Sequence, residues 1–247
     1  VEPSRIFYAL NEKYSNCKSY SDCGIVDFDD VNHKRERIKF KTQFVRPDYF
    51  CFQWQDYGPR RGLAERFSTL WFNQGRSVIR WDTSASVTVE DQPSLQFATA
   101  AATGCSVGAA ILILPMLMDH MRTELKHVLQ LTDLELLANE SLNEQECYVV
   151  KGSLFRAFDH ILWVSTNDFS VQKIRHDMSS TAEESRKEHE ALIANKQLLA
   201  GLLERGITPP SEMKFSDKHE FTDYTYTDIT FDESINPLPQ PTADDEK

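Results

Sequence analysis

Gly104-Cys105-Ser106-Val107-Gly108 fits G-x-S-x-G, the pattern that presents a serine nucleophile on a sharp turn. That turn needs a strand before the serine and a helix after it, whereas Ala98 to Thr103 reads as helix. An acid and a base would have to follow. The obvious pair, Asp159-His160, is adjacent in sequence, so on a strand its members face opposite sides. Hydrolysis through Ser106 is kept as an alternative. Asp27, Asp29 and Asp30, with Asn32 and His33, gather cation ligands but lack the glycine and closing glutamate of a calcium loop. His189-Glu190 and His219-Glu220 each lack the second histidine of a zinc-protease helix. Cys17, Cys23, Cys51, Cys105 and Cys147 form no C-x-x-C pair and have no histidine at zinc spacing. They read either as reduced core thiols or as the thiols of an exported protein with one or two disulfides, Cys17 and Cys23 being nearest in sequence. No catalytic residue, metal or cofactor is expected.

The remaining chemistry is apolar. Ile38, Phe40, Thr42 and Phe44 alternate with Lys39, Lys41, Gln43 and Val45, and beyond Arg46-Pro47 Phe50, Phe52 and Trp54 alternate with Cys51 and Gln53. Period two marks strands with one wet and one dry face. The dry face is nearly all aromatic and needs a cover, either the protein's own helices or a greasy ligand. Phe40, Phe44, Phe50, Phe52, Trp54, Trp71 and Trp81 are the candidate walls of an apolar cavity. Leu112, Leu114, Met116, Leu117 and Met118 are the candidate cover, since Leu and Met repack around irregular shapes. Gly104, Gly108 and Pro115 are candidate hinges. Each buried methylene of an acyl chain is worth about 0.8 kcal/mol, so one long chain binds without any polar contact.

The elements that position these residues are mostly strands. Residues 3–18 predict an amphipathic helix with Ile6, Phe7, Leu10 and Tyr14 on one side. Strands follow at 19–28, 38–46 and 49–55, with Gly58-Pro59 and Gly62 in a loop. A hairpin is expected over 68–72 and 77–83, with a further strand at 83–90. Residues 94–103 read as a helix behind a serine cap. Residues 107–121 read as a second, greasy helix kinked at Pro115. Strands resume at 131–138, 146–152, 160–165 and 171–178, a charged helix is inserted at about 182–205, and 218–231 closes the series. So many short strands with buried helices predict a mainly β fold: a strongly curved antiparallel sheet, an unclosed barrel, with helices plugging its concave face. Residues 1–235 are expected to form one domain and 236–247 a loosely held acidic tail.

With 38 acidic against 27 basic residues the net charge is -11, which argues against nucleic acid as a partner. The apolar run from Val107 to Met118 is interrupted by Pro115 and is shorter than the about 20 residues a membrane span requires. The sequence opens at Val1 with no apolar leader, and a removed leader is the expectation for an exported protein.

In order along the chain stand Ser19-Tyr20-Ser21-Asp22 with Gly24, then F-K-T-x-F-x-R-P-D-x-F-x-F-x-W over Phe40 to Trp54. Leu70-Trp71-Phe72 with Gly75, Ala100 to Gly104 before the greasy helix, Glu146 to Val150 and Ile161 to Val164 follow. From Tyr8 to about Pro237 this order resembles the LolA/LolB-type fold of periplasmic lipoprotein carriers and their outer-membrane lipoprotein-sorting relatives. The resemblance implies an unclosed barrel, a helical lid and a cavity for lipid or lipoprotein acyl chains, in a periplasmic or otherwise exported, non-enzymatic protein. It implies that Arg46 latches the lid by bonding its backbone, with Phe50 the aromatic just beyond. The chain departs from the carriers in its length and in the charged helix near 182–205. A sensor or scaffold whose partner is a protein, such as a membrane-associated one, therefore stays open as the alternative.

Overall fold

The computed structural model describes residues 1–29, 34–55, 66–83, 86–122, 127–154, 158–195 and 219–242, with single positions 201, 204 and 217 between. The chain opens with α1 (Pro3–Asn16), whose Pro3 takes an early helical position where no N–H is needed. Ile6, Phe7, Leu10 and Tyr14 are its buried stripe, as the spacing predicts. Six strands follow: β1 (Ser19–Asp29), β2 (Arg35–Val45), β3 (Tyr49–Gln55), β4 (Phe67–Asn73), β5 (Arg76–Asp82) and β6 (Val87–Gln92). Ser94 caps α2 (Leu95–Cys105), its hydroxyl accepting from Phe97 N at 3.2 Å.

The greasy run that reads as one kinked helix is instead three single turns: α3 (Ala109–Leu112), α4 (Leu114–Leu117) and α5 (Asp119–Arg122). Two features cut it. Val107 and Gly108 both have positive φ, at 53° and 93°, which ends α2 and starts the run afresh. Pro115 then lacks the N–H that would carry a helix through. Beyond a short turn at Val128–Gln130 come β7 (Thr132–Leu136), β8 (Glu140–Leu142), β9 (Gln145–Leu154), β10 (Phe158–Ser165), β11 (Val171–Asp177), α6 (Ala182–Ala194) and β12 (Phe221–Phe231). The three-residue strand β8 is not evident from sequence.

Pairing runs β6-β5-β4-β3-β2-β1-β12-β11-β10-β9-β7, with β8 also on β9. The end strands β6 and β7 do not meet, so the antiparallel sheet is open. Its curvature follows from how the helices span it. α1 touches β7 near one edge, α2 touches β4, β5 and β6 at the other, and contacts run α1 to α4 to α3 to α2. Nine inter-strand steps separate β7 from β5, about 43 Å if flat. Three helix–helix steps reach only about 30 Å. The sheet therefore curls around its helices.

One continuous core lies on that inner face, from Ile38, Phe40 and Leu70 through the helices to Val150 and Leu162. The outer face carries two small separate clusters, one of Tyr49, Cys51, Trp71 and Val78 and one of Cys147, Val149 and Trp163. Among the described residues no helix is long and apolar enough to cross a membrane.

The segment Asp177–Phe221, between the paired strands β11 and β12, is a compact unit of its own. Its helix α6 begins with a reciprocal capping box: Thr181 N donates to Glu184 Oε2 at 2.7 Å and Glu184 N to Thr181 Oγ1 at 3.2 Å. The rest of the helix expected to reach residue 205, and the Pro209-Pro210 stop, lie outside the described residues apart from positions 201 and 204. Asp30, Asn32 and His33 of the acidic turn lie outside them as well.

Candidate ligand-binding face

The register fixes which side chains share the inner face. Phe40 pairs with Gly24 on one side and Trp54 on the other, Thr42 with Asp22 and Phe52, and Phe44 with Tyr20 and Phe50. Cross-strand partners point the same way. The rings therefore form a sheet of their own: Phe40 stacks on Phe52 at 5.8 Å, Phe52 on Trp54 at 5.7 Å, and Trp54 meets Trp81 edge-on at 5.8 Å. The sequence-predicted walls Phe40, Phe44, Phe50, Phe52 and Trp54 all belong to the inner core, with Trp81 partly buried against it.

Trp71 does not join them. It pairs with Cys51 and Val78 on the outer face, and its Nε1 donates to Leu238 O at 3.0 Å. Leu238 N in turn donates to Tyr49 OH at 2.9 Å, so residues near 238 cover this part of the outer face. β4 is thus buried on both sides. Leu70-Trp71-Phe72 shows no alternation because both faces are dry.

Leu112, Leu114, Met116 and Leu117 are all buried in the same core as the rings, with Met118 and Met121 beside them. The walls and the cover belong to one continuous core. Polar anchors sit at the two ends of the cover. At its start Tyr224 OH donates to Val107 O at 2.6 Å, and a Cβ on Gly108 would come within 2.7 Å of that hydroxyl. At its end Arg122 donates from Nε to Pro115 O at 2.8 Å and from Nη2 to Met116 O at 3.0 Å. Arg122 was not foreseen from sequence. An arginine just after a greasy run, placed to satisfy its last carbonyls, is the signal that would have shown it.

Arg46 does bond helix backbone, but at α1. Its Nε donates to Cys17 O at 2.7 Å and its Nη2 to Tyr14 O at 3.2 Å and to Ser15 O. These are carbonyls that the end of a helix leaves without partners, and a cation suits the negative end of the helix dipole. Arg46 therefore fixes the first helix to the β2–β3 corner. Among the described residues it makes no hydrogen bond to α3, α4 or α5, where Arg122 and Tyr224 bond the backbone instead.

Ser106 closes α2 rather than forming a nucleophile turn. Its N donates to Ala102 O at 2.8 Å, its Oγ accepts from Ala110 N at 3.2 Å, and it is fully buried behind a helix. His160 lies on β10 with its ring 4.3 Å from that of His176. All five cysteines are free. Burial raises the thiols of Cys17 and Cys51, to about 11 and about 12, so both are inert.

A few polar groups interrupt the inner face. Asp22 is 3% exposed, and burial pushes its carboxyl up to about 7 against the opposing pull of the Tyr20 hydroxyl, which donates to Oδ2 at 2.6 Å. His176 is pulled down to about 3, by burial first and by His160 second. An aspartate on the dry phase of an alternating strand was visible in the sequence and passed over. Gly24 also has a defined purpose: the tip of the Phe40 ring sits over it, and a Cβ there would run into Phe40 Cζ. On the opposite face a hollow of about 160 Å³ lies among Cys23, Lys41, Gln43, Cys51, Gln53 and Asp228.

No family model and no curated protein matches the chain. Solved structures of similar fold exist. LprF from Mycobacterium bovis is 6% identical with a TM-score of 0.49, covering 96% of this chain and 97% of that one. A LolA superfamily protein from Nitrosomonas europaea is 10% identical with a TM-score of 0.32, covering 97% and 96%. A putative outer membrane lipoprotein-sorting protein domain from Vibrio parahaemolyticus is 8% identical with a TM-score of 0.37, covering 94% and 93%. At these identities and TM-scores nothing about ligand or partner passes from those proteins to this chain.

Proposed function

We propose that the protein is a non-enzymatic acyl-chain binder that takes the apolar part of a lipid between its ring-lined sheet and its helical cover. The observation that carries this reading is the construction of the cover. Residues 109–122 form three four-residue turns, the first two apolar and mostly buried and the third carrying exposed Asp119 and His120, and their buried residues share one core with the aromatic face. A single turn has no stability of its own, because helix nucleation is unfavourable and needs a dozen or more residues to repay. These turns hold their shape only through what they rest on. An acyl chain offers the same rings the same apolar contact. At about 0.8 kcal/mol per methylene, a 16-carbon chain supplies on the order of 10 kcal/mol before ordering costs. Cover and ligand can thus exchange on the wall with little change in buried area.

The anchors make that exchange local. Tyr224 ties the start of the cover to β12, and Arg122 closes the end of α4 from within the run, so displacement of α3 and α4 breaks apolar contacts first. Lipid or lipoprotein acyl chains are the partners in this reading, in an exported compartment, as the ordered strand motifs resemble those of periplasmic carriers. Native mass spectrometry of gently purified protein should show a co-purified lipid, and delipidated protein should take up cis-parinaric acid. Co-purified peptide with no uptake of the fatty acid would point to a protein ligand instead. A preparation free of lipid that also ignores the fluorescent acid would end the proposal.

A further inference from the structure

One corner of the inner face is polar and incomplete. On β1, Asp22 and Tyr20 point inward from alternate positions, and across the ladder Tyr226 of β12 stands opposite Gly24. Tyr14 of α1 closes the corner from above, 5.3 Å from the Tyr20 ring, with its hydroxyl accepting from Val171 N at 3.1 Å. Tyr20 OH spends its proton on Asp22 Oδ2. The other carboxyl oxygen, Oδ1, and the hydroxyl of Tyr226 have no hydrogen-bond partner, although Asp22 is 3% and Tyr226 1% exposed.

Folded proteins pair nearly all such groups, because each one left bare forfeits its hydrogen bonds to water without replacement. Here two stand on adjacent strands, one an acceptor and one a hydroxyl. What completes them is a group that accepts from a tyrosine and donates to a carboxyl oxygen. The surroundings narrow it further. Phe40 meets Tyr226 edge-on at 5.5 Å, and beyond Phe40 the rings of Phe52 and Trp54 continue the face. The occupant is therefore polar at one end and mainly apolar along its length, where Trp54 Nε1 is one further buried group without a partner. Two buried carboxyls side by side hold a proton between them, because both cannot be charged there.

We propose that this corner seats the carboxyl end of a free fatty acid, with one of its oxygens accepting from Tyr226 OH and one proton shared between its carboxyl and Asp22 Oδ1. The hydrocarbon tail then runs over Phe40, Phe52 and Trp54 beneath the cover. This rests on the acyl-binding reading above and sharpens it, because an esterified chain has no carboxyl group with which to share that proton.

Affinities of cis-parinaric acid, its methyl ester and diphenylhexatriene, which has no polar group, test the assignment on wild-type protein and on Tyr226→Phe. That variant removes one atom that makes no bond in the empty fold, so its folding is secure. The acid should bind about tenfold tighter than the ester, the worth of one buried hydrogen bond. Tyr226→Phe should weaken the acid by a similar factor and leave diphenylhexatriene unchanged. If acid and ester bind equally, and Tyr226→Phe alters neither while the apolar compound still binds, the corner holds only an ordered water. The carboxyl assignment then falls while acyl binding stands. If wild-type protein binds none of the three, both readings fall together.

Discussion

Asp22 and His176 tilt stability in opposite directions with pH. The folded state raises Asp22 to about 7, so between about pH 4 and 7 it keeps a proton that the unfolded chain has released. Stability from this group is present below pH 4 and drains as pH rises, by at most about 1.4 kcal/mol per pH unit. His176 is lowered to about 3, so between about pH 6.5 and 3 the unfolded chain binds the proton that the folded state refuses. Its contribution is full above pH 6.5 and drains as pH falls. Urea unfolding across pH 4 to 8 should show both limbs. Asp22→Asn should flatten the alkaline one, gaining roughly 1–3 kcal/mol at pH 7.5 relative to pH 4.5. His176→Gln should flatten the acid one. An unchanged alkaline slope in Asp22→Asn would mean that this carboxyl ionises freely in the folded protein. Gly24 gives a second test at the same scale. Gly24→Ala has to displace the Phe40 ring, so it should cost about 1–3 kcal/mol. Gly104→Ala, at a helical position with open space around it, should be neutral or stabilising by up to about 1 kcal/mol.

Two arginines close helix ends, and their loss should be felt by different elements. Arg46 serves the carbonyls of Tyr14, Ser15 and Cys17, whereas Arg122 serves those of Pro115 and Met116. Hydrogen bonds to a charged donor are worth about 1.5–3 kcal/mol. Arg46→Met should therefore speed amide exchange in the last turn of α1 and leave residues 109–118 protected. Arg122→Met should do the reverse, and should also raise the rate at which cis-parinaric acid enters, since the end of α4 then loses the bonds that close it. If Arg46→Met exposes the cover instead, α1 and the three turns move as one lid, and the separation drawn here is wrong. The Arg-Pro corner stood out in the sequence because it interrupts an alternating run. The arginine at 122 did not, because a greasy run of this kind marks burial but shows neither where its turns end nor what holds them.

Legibility at the scale of the molecule follows the number of wet faces. β2 is dry on one side only, so its period of two was plain and its inward residues were placed correctly, which carries over to the aligned positions of β3. β4 is covered on the inside by helices and on the outside by the segment around Leu238, so alternation vanished and Trp71 was assigned to the wrong side. The open, curled sheet was readable because strands in series with greasy helices leave few other ways to bury both. The cover's division into single turns was not, since a run apolar all round has no face to show. The charged segment was readable from its composition as a helix inserted between strands, and α6 stands there. In the structure, Met178 N still donates to Glu220 O at 2.9 Å, so the β11–β12 ladder closes at the root of the insertion. Two antiparallel strands joined so closely need only a two-residue turn between them. Replacing residues 180–218 with Asn-Gly should then leave a single cooperative unfolding transition, with a melting temperature within a few degrees of the full chain, and unchanged affinity for cis-parinaric acid. Should uptake vanish while the fold persists, the insertion would be part of the binding site, and a binding face built from strands β1–β5 and the turns at 109–122 alone would be the wrong description of this protein.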